Sequence, residues 1–153
     1  MLFRSLDVQS VTYRTVTDQN GAVVSGNLGA SYTISPSSSV RLSTGLGMQS
    51  ARIDAFADTL HWVALDYYHD LPWGFSANVE PAYSWTRYNA PLAAFGTTRA
   101  DKLWALRLDV LNRRIEYAGF APRLSIIYAK QASTIALYRY SRLQLQIGLT
   151  RQF

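Results

Sequence analysis

Six charged residues sit inside stretches where apolar and polar side chains alternate: Arg41, Asp66, Glu80, Arg107, Asp109 and Arg123. Carboxylates and guanidiniums in such places can do acid–base work if a nucleophile or a third partner converges on them. They can also form a solvated ion-pair network, because charges set against an apolar side need water or one another. The sequence offers material for the second use only. It holds no nucleophile motif, phosphate-cradling loop or metal-ligand spacing, and GLGMQS lacks the glycine pattern of a dinucleotide loop. His61 and His69 share one strand parity and would lie roughly 26 Å apart if extended, so they cannot share a metal. There is no cysteine. Ion pairing among Asp66, Asp70, Arg107 and Asp109 is the expected use of these groups. No enzyme, cofactor or metal is expected.

The elements that must position these charges are strands. Period two dominates the chain and helical periodicity is nearly absent. GNLGASYTI sets Leu28, Ala30, Tyr32 and Ile34 against Asn27, Gly29, Ser31 and Thr33. VRLSTGLGM, HWVALDYYHD, FSANVEPAYSW, WALRLDV, RLSIIYAK and LQLQIGLTRQF repeat the pattern. LDVQSVTYRTV adds an eighth strand of unsettled register, since Val8 and Val11 have opposite parity. Pro81 lacks an N–H and calls for a bulge or local irregularity in its strand. Breaks fall at DQNG, SPSSS, IDAFAD, DLPWG, NAPLAAFGTTRAD, RRIEYAGFAP and QASTIALYRYS. Nothing divides residues 1–153, so a single domain is expected.

The two faces of these strands differ. One carries Leu, Val, Ile, Ala and aromatics; the other carries the six charges with many Ser, Asn and Gln. A soluble sandwich would need a second layer over the apolar face, and no helix-period segment can supply one. The strands run about ten to thirteen residues. That exceeds a globular strand of about five or six and suits a tilted bilayer crossing of about nine to eleven. The fold class expected is therefore all-β: an antiparallel up-and-down transmembrane β-barrel of about eight strands, apolar side to lipid and charges inward. Aromatics at 13% of residues, with Tyr67, Phe75, Trp85, Trp104 and Phe153 towards strand ends, fit the interfaces of such a barrel. The net charge is +5, but the basic residues are scattered singly, so nucleic acid is not an expected partner. Two alternatives stay open: a porin-like or structural barrel with no client, and a soluble sandwich that binds a ligand.

The C-terminus orients the barrel. Gln146, Gly148 and the terminal Phe153, set in alternating apolar positions, resemble the signal by which the barrel-assembly machinery receives bacterial outer-membrane barrels. Arg151 departs from it, because an apolar or aromatic residue is usual there. With this end in the periplasm, SPSSS, DLPWG and RRIEYAGFAP become periplasmic turns. DQNG, IDAFAD, NAPLAAFGTTRAD and QASTIALYRYS become external loops. Two of the three inner breaks are short and the two longest loops lie outside, as outer-membrane barrels require.

The span Arg99 to Phe153 resembles the C-terminal barrel domain of surface lipoprotein assembly modifiers. The likeness rests on RADKLWALRL, GFAPRL and LYRYSRLQLQIGLTRQF, with Gly119, Pro122, Arg123, Leu124, Tyr138, Tyr140 and Phe153 carrying most of it. HDLPWG is a further familiar turn. The resemblance implies an outer-membrane location, with lipid, the barrel-assembly machinery and a lipoprotein client as partners, and a role in carrying that client to the cell surface. It also implies a helical-repeat domain and further strands ahead of this segment. Met1–Ser5 reads as foreign to the protein, and MLFRSLDVQS has no apolar export signal, so an N-terminally truncated chain is expected. Arg139 and Ser141 stand where the family often has acids, which implies a different client if those acids touch one.

Overall fold

The computed structural model describes residues 1–12, 14–15, 17–115 and 119–151, the last of these by its backbone alone. Eight strands follow in order: β1 Leu2–Val11, β2 Gly21–Ser35, β3 Ser38–Gln49, β4 Asp58–Asp70, β5 Phe75–Leu92, β6 Thr97–Asn112, β7 Phe120–Ser133 and β8 Tyr140–Arg151. Each pairs antiparallel with the next, giving one up-and-down sheet. The all-β class and strand number read from the sequence are those observed. Among the described residues the sheet is open, because β1 and β8 pair only with β2 and β7.

The registers keep the alternation in phase from strand to strand. Tyr32, Val40, Tyr67, Val79, Leu108, Ile126 and Leu145 oppose one another in turn, forming an apolar row over seven strands. One residue along, a polar row holds Ser31 opposite Arg41, Arg41 opposite Asp66, and Glu80 opposite Arg107. A slip of one residue at any pairing would swap these rows, so the alternation itself selects the register. Val8 falls on the apolar face with Leu2 and Leu6, which settles β1.

Nothing among the described residues covers the apolar face. Leu28 is 56% exposed, Leu143 72% and Ile147 80%, and no large side chain among the described residues is fully buried. The accessible surface is 10633 Å², against about 7,800 Å² for a globular monomer of this mass. A two-layer sandwich is therefore not what the chain forms. Among the described residues no helix is long and apolar enough to cross a membrane, which says nothing of crossing by strands.

Several boundaries differ from the sequence reading. NAPLAAFGTTRAD is mostly strand: β5 runs to Leu92, β6 starts at Thr97, and the connection shrinks to residues 93–96. Paired strands can continue through small and polar residues once a hairpin is closed, and Pro91 sits at the register shift that follows Arg87. In consequence Trp85 and Trp104 lie mid-strand, not towards strand ends. DQNG is not a tight hairpin, since the connection spans residues 12–20 with a short 3₁₀ turn at Thr17–Gln19. Pro81 causes no shift of register. The β4–β5 pairing lapses beside it and resumes in phase, Ala64 opposing Ala82 and Tyr67 opposing Val79. The turn at Pro36 and Ser37 is as short as SPSSS implied, and the Ser35 hydroxyl bonds those of Ser37 and Ser38 at 3.1 and 2.7 Å.

Candidate functional site

All six predicted charges lie on the polar face, and three of them meet. Arg107 and Asp109 are two apart on β6, so the pleat puts both on one side. Antiparallel pairing then sets Ser125 opposite Asp109 and Arg123 opposite Leu111, a diagonal neighbour. Arg107 Nε donates to Asp109 Oδ2 at 2.6 Å. Arg123 donates through Nη2 and Nε to Oδ1 at 2.8 and 3.2 Å, and the Ser125 hydroxyl donates to the same oxygen. The Asp109 side chain is 14% exposed, those of Arg107 and Arg123 42% and 45%. One carboxylate thus anchors two half-exposed cations, leaving a local surplus of positive charge.

The other three charges take separate partners. Arg41 and Asp66 oppose each other, yet Arg41 stacks on the Phe3 ring at 4.1 Å and Asp66 accepts from Asn78 Nδ2 at 2.8 Å. Glu80 opposes Arg107, whose guanidinium has turned to Asp109, and no ion pair to Glu80 forms among the described residues. The continuing register brings Asp66 level with Glu80, so the transverse row reads plus, minus, minus, plus over β3 to β6. Asp70 does not pair with Asp66. It accepts from the Tyr68 hydroxyl at 2.5 Å and lies 3.8 Å from Arg113.

A second cluster, at the other end of the same face, escaped the sequence reading. Arg99 is held between two rings, 3.6 Å from the Tyr138 centroid and 4.7 Å from that of Tyr88, and pairs with Asp101 at 2.6 Å. Gln131 Nε2 donates to the Tyr138 carbonyl at 3.0 Å, and Arg139 Nε to the Ser133 carbonyl at 2.7 Å. These contacts fold the β7–β8 connection, residues 134–139, onto the end of the polar face. The signal was present: β6 carries Arg-x-Asp twice, at Arg99–Asp101 and Arg107–Asp109. The first copy falls within NAPLAAFGTTRAD, which reads as a loop from sequence.

No group of three or more metal-ligating side chains forms among the described residues. His61 and His69 both lie on the apolar face, stacked on Trp85 at 5.1 Å and on Tyr67 at 6.2 Å. Acidic charge is segregated by face: every strand acid (Asp7, Asp58, Asp66, Asp70, Glu80, Asp101 and Asp109) has polar-face parity. An apolar-in-one-direction, charged-in-the-other sheet of this kind can line an aqueous passage with ion pairs on one side. A family model described as surface lipoprotein assembly modifier matches residues 5–153.

The chain belongs to the surface lipoprotein assembly modifier family. The match covers nearly the whole chain, not only the part after Arg99 in which the resemblance was seen. A comparison with curated proteins gives no match, and a comparison with solved structures gives none. The family-motif positions are distributed over three tasks. Gly119 adopts φ 81°, a turn conformation that a Cβ disfavours, just before β7. Pro122 and Leu124 lie on the apolar face opposite Leu149 and Ile147, while Arg123 reaches Asp109. Tyr138 stacks on Arg99, and Tyr140 opens β8 opposite Gln131 with Arg142 5.9 Å over its ring. Of the residues that resemble a C-terminal assembly signal, Gln146 opposes Ser125 and Gly148 opposes Arg123 on the polar face. Phe153 lies outside the described residues. A Cβ on Gly148 would meet nothing within 4 Å, so no contact in the sheet requires glycine there.

Proposed function

We propose that this chain is an outer-membrane β-barrel segment that assists the passage and display of lipoproteins at the bacterial cell surface. Membership of the surface lipoprotein assembly modifier family over residues 5–153 carries the reading. The sheet supports it. A lipid phase is the covering that the apolar face, with leucines and isoleucines 36–80% exposed on β1 to β4 and β8, lacks in water. The row of Arg41, Asp66, Glu80 and Arg107 then faces an aqueous interior, where half-paired charges are tolerable. The open edges of β1 and β8 would be closed in a larger barrel by further strands. The role is a non-enzymatic one: the polar face and the folded β7–β8 connection handle the client, the barrel-assembly machinery inserts the protein, and lipid surrounds it.

The test is protease shaving of intact cells with and without the full-length gene. Loss of a lipoprotein from the shaved fraction on deletion is the expected result. Unchanged shaving would sink the proposal, and ion conductance in planar bilayers together with unchanged shaving would favour a plain channel instead.

A further inference from the structure

Strand cations on the apolar face are few and not random. This chain has two lysines, Lys102 and Lys130, and both are exposed on that face, on the neighbouring strands β6 and β7. Arg87 joins them from β5. Arg87 opposes Ala100, two residues before Lys102, and Lys102 opposes Ala132, two residues after Lys130. Each cation is thus the diagonal same-face neighbour of the next, at roughly 7–8 Å. No acid lies on this face of any strand, and none of the three makes an ion pair among the described residues.

Their height is set by aromatics. On each strand the neighbouring same-face residue nearer mid-sheet is a ring: Trp85 before Arg87, Trp104 beside Lys102, Tyr128 before Lys130. From the strand ends at Phe75, Asn112 and Phe120, these rings lie about nine to eleven residues along, the length that crosses a hydrocarbon layer when tilted. The rings then mark the edge of the hydrocarbon, where Trp and Tyr prefer to sit. The cations come next, at the level of the headgroups. A lone lysine on such a face needs no explanation, since its stem can reach water. Three aromatic–cation pairs on adjacent strands, with no acid to answer them, form a surface complementary to phosphate.

The geometry points to a lipid-headgroup site: Arg87, Lys102 and Lys130 bind the phosphates of an anionic membrane lipid, whose headgroup has no cation of its own, at the sheet end that meets connections 93–96 and 134–139. This rests on the membrane reading above. Each cation near an anionic surface contributes roughly a fivefold preference, so the cluster gives at least a tenfold one after screening.

Trp85 and Trp104 report on the site directly. With Trp62→Phe and Trp73→Phe they are the remaining indoles of the four. The chain is reconstituted in vesicles, and quenching by brominated phosphatidylglycerol is compared with quenching by brominated phosphatidylcholine. The expected result is at least a tenfold higher relative association for phosphatidylglycerol. Arg87→Gln/Lys102→Gln/Lys130→Gln brings it within twofold, with phosphatidylcholine quenching unchanged as proof of insertion. Lys102→Arg/Lys130→Arg keeps it, as does Arg4→Gln, which removes an apolar-face cation outside the cluster. Equal association of both lipids with the unaltered cluster overturns the headgroup site and leaves the membrane reading standing. Displacement by inorganic phosphate, beyond that by chloride at equal ionic strength, means a free-phosphate site and overturns the lipid assignment. No quenching by either lipid overturns the membrane reading itself.

Discussion

Asp109→Asn changes one atom and removes the charge that organises the polar face. The carboxylate accepts from Arg107, Arg123 and Ser125 at once. A hydrogen bond to a charged group contributes about 1.5–3 kcal/mol and a neutral one about 0.5–1.5. Loss of charge therefore costs roughly 1 kcal/mol per arginine in a buried setting. The arginine side chains are 42% and 45% exposed, which reduces each term to about half of that. The asparagine must also turn an NH₂ towards a donor, leaving one donor unmatched. The sum is about 1–3 kcal/mol. Urea unfolding of the chain in detergent micelles, followed by tryptophan fluorescence, measures it. Arg107→Gln alone should cost less, and the double variant should fall short of the sum of the two by about 0.5–1 kcal/mol, as contacting residues do. A loss under about 0.5 kcal/mol for Asp109→Asn, or strict additivity, would show that water holds these arginines equally well and that the cluster is not an organising contact.

Glycines on the polar face give a paired test. Trp62 lies flat on Gly45, where a Cβ would come within 2.6 Å of indole Cε2, so Gly45→Val should displace the ring and cost about 1–3 kcal/mol by the same assay. Gly148→Ala meets open space and should leave stability within about 0.5 kcal/mol; an equal cost for both would contradict the placement of Trp62. Arg99→Gln removes the stack on Tyr88 and Tyr138 together with the ion pair to Asp101. Amide exchange across residues 134–139 should accelerate about fivefold or more, since a cation–π contact contributes about 0.5–2 kcal/mol, while exchange at the β2–β3 pairing should not change.

The strands and their two faces are legible in the order of residues alone. Alternation is a local property of the pleat, so one strand suffices to assign a residue such as Arg41 or Asp66 to a side, and all six charges fell where parity put them. Family membership was legible for a similar reason: GFAPRL and LYRYSRLQLQIGLTRQF are contiguous. Strand ends were less legible. The residues of NAPLAAFGTTRAD have low strand propensity alone, and only the pairing of β5 with β6 carries them into a ladder. What no single strand contains is its neighbour. That Arg123 rather than Glu80 meets the Arg107–Asp109 pair follows from a diagonal in the β6–β7 register. Arg99 finds Tyr88 and Tyr138 because a connection folds back, and Arg87, Lys102 and Lys130 line up because two successive registers step by two. Parity fixes which side a group faces; only the tertiary structure decides whom it faces, because partners across a sheet are set by hydrogen-bond register between segments far apart in the chain.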